Sequence, residues 1–192
     1  MASIKIKQHD IQDCGAACLA SIGNHYNVNL PIARIRQYAN TDKRGTNVLG
    51  IIEAAEKMGF TAKGVKGGID ALDKIPLPAI AHIIVKQQLH HYVVIYKVSS
   101  PSGRSGGVVE VMDPALGKME IYTIEEFQKV WTGVLILFAP NDDFKTYNDK
   151  VSAIKRFYQL IQPHKTILFQ ALIGAIVFTV LGLAMSIYVQ KI

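Results

Sequence analysis

The sequence predicts an α+β domain over residues 1–140, followed by one membrane-spanning helix. Helical patterns come first, strand patterns separated by turn residues come next, and an uninterrupted apolar stretch lies near the C-terminus. Helices that precede strands, instead of alternating with them, favour an antiparallel sheet. A chain of 192 residues is long enough for one ordinary domain and a further segment.

Three helices are predicted in the N-terminal part. The first, at 14–26, is rich in alanine and has Asp13 near its N-terminus. The second, at 31–39, begins with a proline, which the first helical position favours. The third, at 47–59, has apolar residues at helical spacing and ends in a glycine.

The strand patterns follow and suggest a single antiparallel sheet. Rich in β-branched and aromatic residues, the predicted strands are 77–85, 91–98, 107–113 and 118–124. A short helix at 124–131 and a last strand at 134–140 complete the predicted domain.

The C-terminal apolar stretch runs from Ile167 to Val189 without a charged residue. At a rise of about 1.5 Å per residue, a helix of this length crosses the roughly 30 Å of a bilayer core. A buried core helix would rarely be apolar on every face over this length. We therefore expect a transmembrane helix at 166–190, preceded at 141–165 by a linker and an amphipathic juxtamembrane helix.

The distribution of charge predicts which side of the membrane the domain occupies. The N-terminus lacks the apolar segment of a signal peptide. Four cations lie between residues 150 and 165, and only Lys191 follows the apolar stretch, so the positive-inside rule places the domain in the cytosol. The net charge of +6 is moderate, and no basic run with interleaved aromatics indicates nucleic acid as a partner.

The two cysteines lie four residues apart on the first predicted helix. A cytosolic location and this spacing both argue against a disulfide. Cys14 lies at the start of the helix, where free N–H groups and the helix dipole stabilise a thiolate, so it is a candidate nucleophile. The alternative, a small buried apolar residue, describes Cys18 and remains open for Cys14.

A nucleophilic cysteine needs a base, a group that orients the base, and an oxyanion donor. His91 opens one predicted strand and Asp113 ends the next, so antiparallel pairing brings them together. His90 is the alternative base, because alternation along the strand does not tell which face meets Cys14. The side-chain amide of Gln8 could donate to an oxyanion, although a solvated surface glutamine is the alternative.

Metal and nucleotide sites are disfavoured. The two cysteines and the adjacent histidines could supply zinc ligands, but adjacent residues of a strand point to opposite faces. The phosphate-binding pattern GxxxxGK[ST] does not occur in the sequence.

Together these segments resemble a known family. The stretches "QHDIQDCGAACLASI", "GTNVLGIIEAAEKMGF", "LHHYVVIY", "VMDPALGK" and "VWTGVLILFAP" resemble successive blocks of a C39 peptidase domain. Such domains form the N-terminal part of ABC transporters that process and export bacteriocins and related peptides. The resemblance covers residues 1–140 in order, and the apolar helix resembles the first membrane span of an exporter.

The resemblance implies a papain-like fold in which a helical half and a sheet half meet at a cleft. It implies that Cys14 is the nucleophile, His91 the general base and acid, Asp113 the residue that orients His91, and Gln8 the oxyanion donor. The implied substrate is a precursor peptide whose leader ends in Gly-Gly or Gly-Ala and is cut after the second small residue. The alternative is a domain that binds leaders without cutting them.

The resemblance also implies the setting in which the domain works. We expect the bacterial cell membrane as its location, a cytoplasmic peptidase domain, and a homodimer or the remaining transporter domains as partners. With one span, the chain is expected to be a fragment of a transporter or a separate membrane-anchored peptidase. No cofactor is expected in this chain, because ATP would act only through a nucleotide-binding domain that these residues lack.

Overall fold

The computed structural model describes residues 3–85, 88–99, 107–149, 157–158 and 161–190. The chain divides into two units, Met1–Lys150 and Val151–Ile192.

The predicted short helices of the first unit are present. A 3₁₀ turn, Ile11–Asp13, leads into the first of them. The helices are α1 (Cys14–His25), α2 (Ile32–Tyr38), α3 (Val48–Lys57) and α4 (Ile124–Val130). Asn47 caps α3 by accepting a hydrogen bond from the backbone N–H of Gly50 at 2.7 Å.

The strands of the first unit form one large sheet and one small pair. They are β1 (Val28–Asn29), β2 (Phe60–Lys66), β3 (Ala79–Val85), β4 (Leu89–Ser99), β5 (Val108–Asp113), β6 (Lys118–Thr123), β7 (Trp131–Pro140) and β8 (Tyr147–Asn148). Within the described residues, six of them form a sheet in the order β2-β7-β3-β4-β5-β6. All neighbours in this sheet are antiparallel, as predicted.

Strand β2 was not predicted from the sequence. It reads "FTAKGVK" and pairs with β7 from Phe60 opposite Pro140 to Lys66 opposite Val134. A glycine and two lysines give this segment little strand propensity. The strand forms because it lies at the edge of the sheet, where exposed lysines are tolerated and the ladder of β7 supplies its hydrogen bonds.

The sheet has an apolar core on each face. Val94 and Met112 belong to the cluster that includes the buried residues of α1, α2 and α3. Val93 and Val111 belong to a second cluster that includes Phe127 of α4. The helical half therefore covers one face of the sheet, while α4 covers the other, and the predicted α+β architecture is confirmed.

Residues 141–149 belong to the first unit, although the sequence predicts a linker from residue 141. The ring of Phe144 packs 5.1 Å from that of Phe60 and 6.3 Å from that of Tyr26, measured between centroids. Strand β8 pairs in parallel with β1. Two aromatic residues in an otherwise polar stretch thus attach it to the domain. The predicted juxtamembrane helix falls largely outside the described residues.

The second unit contains α5 (Lys165–Gln190), which coincides with the predicted transmembrane helix at 166–190. The stretch Gln162–Ser186 has a mean hydropathy of 2.4 and none of it is buried. By length and composition it can cross a membrane. That it does so remains a prediction.

Substituting Gly50 with alanine is expected to destabilise the domain, although alanine is the better helix former. An added Cβ would lie 2.4 Å from the backbone oxygen of Ala39, which is a contact that backbone atoms cannot relieve easily. Such overpacking costs about 1–3 kcal/mol. Chemical denaturation of the full chain in detergent would measure the loss.

Gly68→Ala is the matched control, because nothing lies within 4 Å of a Cβ added there. Equal stability of Gly50→Ala and Gly68→Ala would show that α3 and the end of α2 do not approach each other this closely.

Candidate active site

A cleft of about 340 Å³ opens beside the first residue of α1. Cys14 lies in its wall, together with the turn Lys43–Thr46 and the side chains of His82, His90 and Tyr92 from the sheet. The helical half and the sheet half therefore meet at this cleft. A peptide that enters it comes into contact with the sulfur of Cys14.

Cys14 is held at the start of α1 by the turn that precedes it. Asp13 is 1% exposed, and its Oδ2 accepts the backbone N–H of Asp10 at 3.1 Å as part of a capping box around the 3₁₀ turn. Arg36 of α2 places Nη1 3.0 Å from Oδ1 of Asp13. Asp13 was predicted only as a residue near the helix start, yet its carboxylate ties the entry of α1 to α2.

The two cysteines lie in different environments. Cys18 is 0% exposed, and its Sγ donates a hydrogen bond to the backbone oxygen of Tyr92 at 3.3 Å. Burial raises the pKa of the Cys18 thiol well above its usual value, and the nearby charges of Cys14 and Asp113 add to this effect. Cys14 is 6% exposed and reaches the cleft, so it is the accessible thiol of the two. Both cysteines are free.

His91 and Asp113 meet where β4 begins and β5 ends. Nε2 of His91 lies 2.8 Å from Oδ1 of Asp113. The same carboxylate oxygen accepts the backbone N–H of Ala115 at 2.7 Å, and the Asp113 carbonyl accepts that of Gly117 at 2.8 Å. The structure thus brings the two residues together as antiparallel pairing predicts, and the turn after β5 fixes the carboxylate.

The charges of the two groups depend on each other. Burial would lower the pKa of His91, but hydrogen bonds with Asp113 and Cys14, and their negative charges, outweigh it and raise the pKa to about 9. Burial would raise the pKa of Asp113, but hydrogen bonds from His91 and Ala115 outweigh it and lower the pKa. An imidazolium beside a carboxylate is therefore the favoured state at neutral pH.

Strict alternation along β4 does not favour His91. Tyr92 and Val94 pack in the same core cluster as Cys14, whereas Val93 packs in the other. Alternation would therefore group His90 with Cys14. His91 is nevertheless the residue that bonds to Asp113 and Cys14, because it lies near the beginning of its strand, beside the end of β5.

Gln8 lies beside the turn that follows Asp113. Its backbone N–H donates to the carbonyl of Pro114 at 2.8 Å. The side chain is half-buried, and none of the described residues gives its Oε1 a hydrogen bond. A buried amide oxygen that the fold leaves unpaired is uncommon.

No group of three or more His, Cys, Asp or Glu side chains arranged to hold a metal ion occurs among the described residues. Sequence reasoning did not identify His82 or the cations of the turn Lys43–Arg44 as part of the cleft. Only the fold brings these residues next to Cys14, and no spacing in the sequence indicates it.

A sequence model of the Peptidase C39 family matches residues 3–143. The Lactococcin-G-processing and transport ATP-binding protein LagD of Lactococcus lactis subsp. lactis is 38% identical over 187 residues, which are 96% of this chain and 24% of that protein. The Mesentericin-Y105 transport/processing ATP-binding protein MesD of Leuconostoc mesenteroides is 35% identical over 191 residues, 97% of this chain and 26% of that protein. The chain thus spans about a quarter of the length of these curated relatives.

Solved structures agree with the family match. The peptidase domain of Streptococcus ComA, a bi-functional ABC transporter involved in a quorum-sensing pathway, has a TM-score of 0.64 and 36% identity, over 73% of this chain and 100% of that chain. A double glycine motif protease from an AMS/PCAT transporter, in complex with the leader peptide, has a TM-score of 0.61 and 30% identity, over 71% and 91%.

Proposed function

The chain belongs to the peptidase C39 family, a family of cysteine peptidases, and on that premise we propose that it cleaves double-glycine leaders from precursor peptides. The observation that carries this proposal is the hydrogen-bonded pair of His91 and Asp113 next to Cys14, which lines the cleft. The similar protease that was solved with a leader peptide supports the choice of substrate.

In the first half of the reaction, the Cys14 thiolate attacks the scissile carbonyl carbon and forms a tetrahedral intermediate. The resulting oxyanion accepts hydrogen bonds from the amide of Gln8 and the backbone N–H of Cys14. As the intermediate collapses, the C–N bond breaks and the His91 imidazolium protonates the leaving amine. The leader remains attached to Cys14 as a thioester.

In the second half, His91 accepts a proton from water while the water oxygen attacks the thioester carbonyl. The C–S bond then breaks, the leader leaves as a carboxylic acid that releases its proton to water, and Cys14 returns as the thiolate beside protonated His91. Nε2 of the imidazole donates a hydrogen bond to Asp113, so Nδ1 is the nitrogen that exchanges the proton with Cys14, the amine and water. With its pKa lowered, Asp113 stays ionised and stabilises the imidazolium throughout.

Gln8 fits the role of oxyanion donor by its position. Its backbone is held at the turn after Asp113, so the residue stays close to the His91–Asp113 pair. The oxyanion would accept its hydrogen bond from the side-chain Nε2–H of Gln8.

The remaining parts of the proposal concern the setting of the enzyme. The helix α5 would be the first membrane span of an ABC exporter, with the peptidase domain on its cytoplasmic side. The partners would be a second copy of the chain or the remaining transporter domains, and cleavage would be coupled to peptide export. The names of the similar proteins LagD and MesD combine processing with transport, which supports this arrangement.

The test is to incubate the full chain in detergent with a synthetic precursor whose leader ends in Gly-Gly. We expect one cut, after the second glycine, detected by mass spectrometry of both products. A peptide with bulky residues in place of the two glycines is the control and should remain intact. Measurable binding without any cut after prolonged incubation would contradict the peptidase activity and favour a domain that binds leaders without cutting them.

A further inference from the structure

The cleft beside Cys14 is lined by cations and histidines. Lys43 and Arg44 come from the turn between α2 and α3, while His82 and His90 come from β3 and β4. No carboxylate occurs among the described residues that line the cleft. A cavity of about 340 Å³ with walls of this composition attracts anionic groups.

The turn that carries the cations is fixed by its own hydrogen bonds. Asp42 and Gly45 exchange backbone hydrogen bonds at 3.3 and 3.1 Å, and Gly45 adopts a φ of +100°, which favours glycine. The carboxylate of Asp42 folds back and accepts the backbone N–H of Arg44 at 2.7 Å. Asp42 therefore braces the turn, and its carboxylate does not form an ion pair with either cation.

The opposite wall is an ordered chain of hydrogen bonds. The hydroxyl of Thr132 donates its proton to the carbonyl of His82 at 3.0 Å, so its oxygen accepts from Nδ1 of His82 at 2.9 Å. His82 therefore carries its proton on Nδ1, and its Nε2 accepts from Nδ1 of His90 at 3.1 Å. His90 is exposed, and its Nε2 is the ring nitrogen that remains. When Nε2 carries a proton, it can donate a hydrogen bond to an anion.

We propose that this cleft binds an acidic side chain of the substrate peptide, within a few residues of the scissile bond, between the turn Lys43–Arg44 and His90. The inference rests on the proposed function, because it assigns a specificity subsite to that same cleft. An Arg guanidinium binds a carboxylate in a bidentate manner and a Lys ammonium adds a point charge. The thiolate of Cys14 does not cancel this preference, since His91 balances its charge.

The test uses peptides that differ only by Glu, Gln or Lys at each of the three positions on either side of the Gly-Gly site. Binding to the Cys14→Ala form of the full chain in detergent is measured by fluorescence anisotropy, so the result does not depend on cleavage. We expect one position at which Glu binds about tenfold more tightly than Gln and Lys binds more weakly than either. Added salt should reduce this preference.

The double variant K43Q/R44Q should reduce the preference for Glu to less than about twofold. The matched control is K63Q, which removes a lysine from exposed β2, outside the lining of the cleft, and should keep the full preference. Equal binding of Glu and Gln peptides at every position, or a preference that survives in K43Q/R44Q, would overturn the subsite. Absence of cleavage by the wild type would instead overturn only the proposed peptidase activity.

His90 is tested by the variant H90Q in the same binding assay at a fixed pH. The groups facing it are His82 from β3, Tyr92 on its own strand, Cys14 from α1, and the two cations of the turn. Burial and the neighbouring His90 and His91 lower the pKa of His82, so His82 keeps accepting from His90. H90Q removes the ring nitrogen that faces the anion and should weaken the preference for Glu. An unchanged preference in H90Q would remove His90 from the subsite.

Discussion

Cys14→Ala lowers the rate of leader cleavage by at least about ten-thousandfold and leaves leader binding intact, if Cys14 is the nucleophile. The methyl group cannot form the thioester, and the oxyanion donors alone provide only a small residual rate. Single-turnover assays with the full chain in detergent, read by mass spectrometry, measure the loss. Binding of the uncut precursor by anisotropy shows that the cleft is still formed.

Cys18→Ala is the matched control, because it removes the other free thiol of the same helix. Cys18 is fully buried and its thiol bonds to the carbonyl of Tyr92, so the change costs about 1 kcal/mol of stability but no catalytic group. A well-folded but inactive Cys18→Ala would contradict the assignment, as would a Cys14→Ala protein that still cuts.

The same contrast between the two thiols shows what the sequence could predict. Four residues of separation on a helix place them one turn apart, so one of them had to lie deeper in the core. The start of the helix was predictable from Asp13, which made Cys14 the candidate. Two contacts could not be predicted from the helix pattern, because they depend on the tertiary structure. Arg36 holds Asp13, and the sheet lies against Cys18.

The strongly patterned strands of the sheet were predictable, whereas the edge strand β2 was not. Strands β4 and β5 consist of β-branched and aromatic residues, and their hydrophobic pattern is strong. Strand β2 has a weak pattern, and its conformation depends on β7, whose paired residues lie 68 or more positions later in every pair of the ladder. Contacts of this kind are a property of the tertiary structure, and local propensity does not encode them.

The pairing of His91 with Asp113 was predictable because it depends only on strand order and strand ends. The choice between His90 and His91 was not, since alternation groups His90 with the residues that pack around α1. The resemblance favoured His91, and the geometry agrees with it. The cations of Lys43 and Arg44 lie in a polar turn of the sequence, where nothing distinguishes them from ordinary surface residues.

Asp113→Ala is expected to lower kcat/KM by about a hundredfold or more, because it removes the carboxylate that holds the imidazole of His91. Asp113→Asn separates orientation from charge, since an amide oxygen can still accept from Nε2 of His91. We expect a smaller loss of activity for Asp113→Asn and a change in its pH profile. Initial rates across the pH range, at substrate concentrations well below KM, measure both effects.

The direction of the pH change follows from the raised pKa of His91. In the wild type the imidazolium persists until the pH rises through about 9, so activity should fall there. Without the negative charge of Asp113, the imidazolium is less stable, and the alkaline limb of Asp113→Asn should move to lower pH. Identical limbs in the two proteins would show that the carboxylate does not set the protonation state of His91.

The stability of the fold should change in the same direction. A pKa raised from 6.5 to about 9 stabilises the folded state fully below pH 6.5, and this contribution is lost as the pH rises through 9. The wild type should therefore be more stable than Asp113→Asn in neutral and mildly acidic solution, and the difference should shrink above about pH 9. Denaturant unfolding at several pH values tests this without any substrate. A difference that stayed constant with pH would mean that the aspartate contributes only a hydrogen bond, and that the imidazolium is not the form that the fold favours.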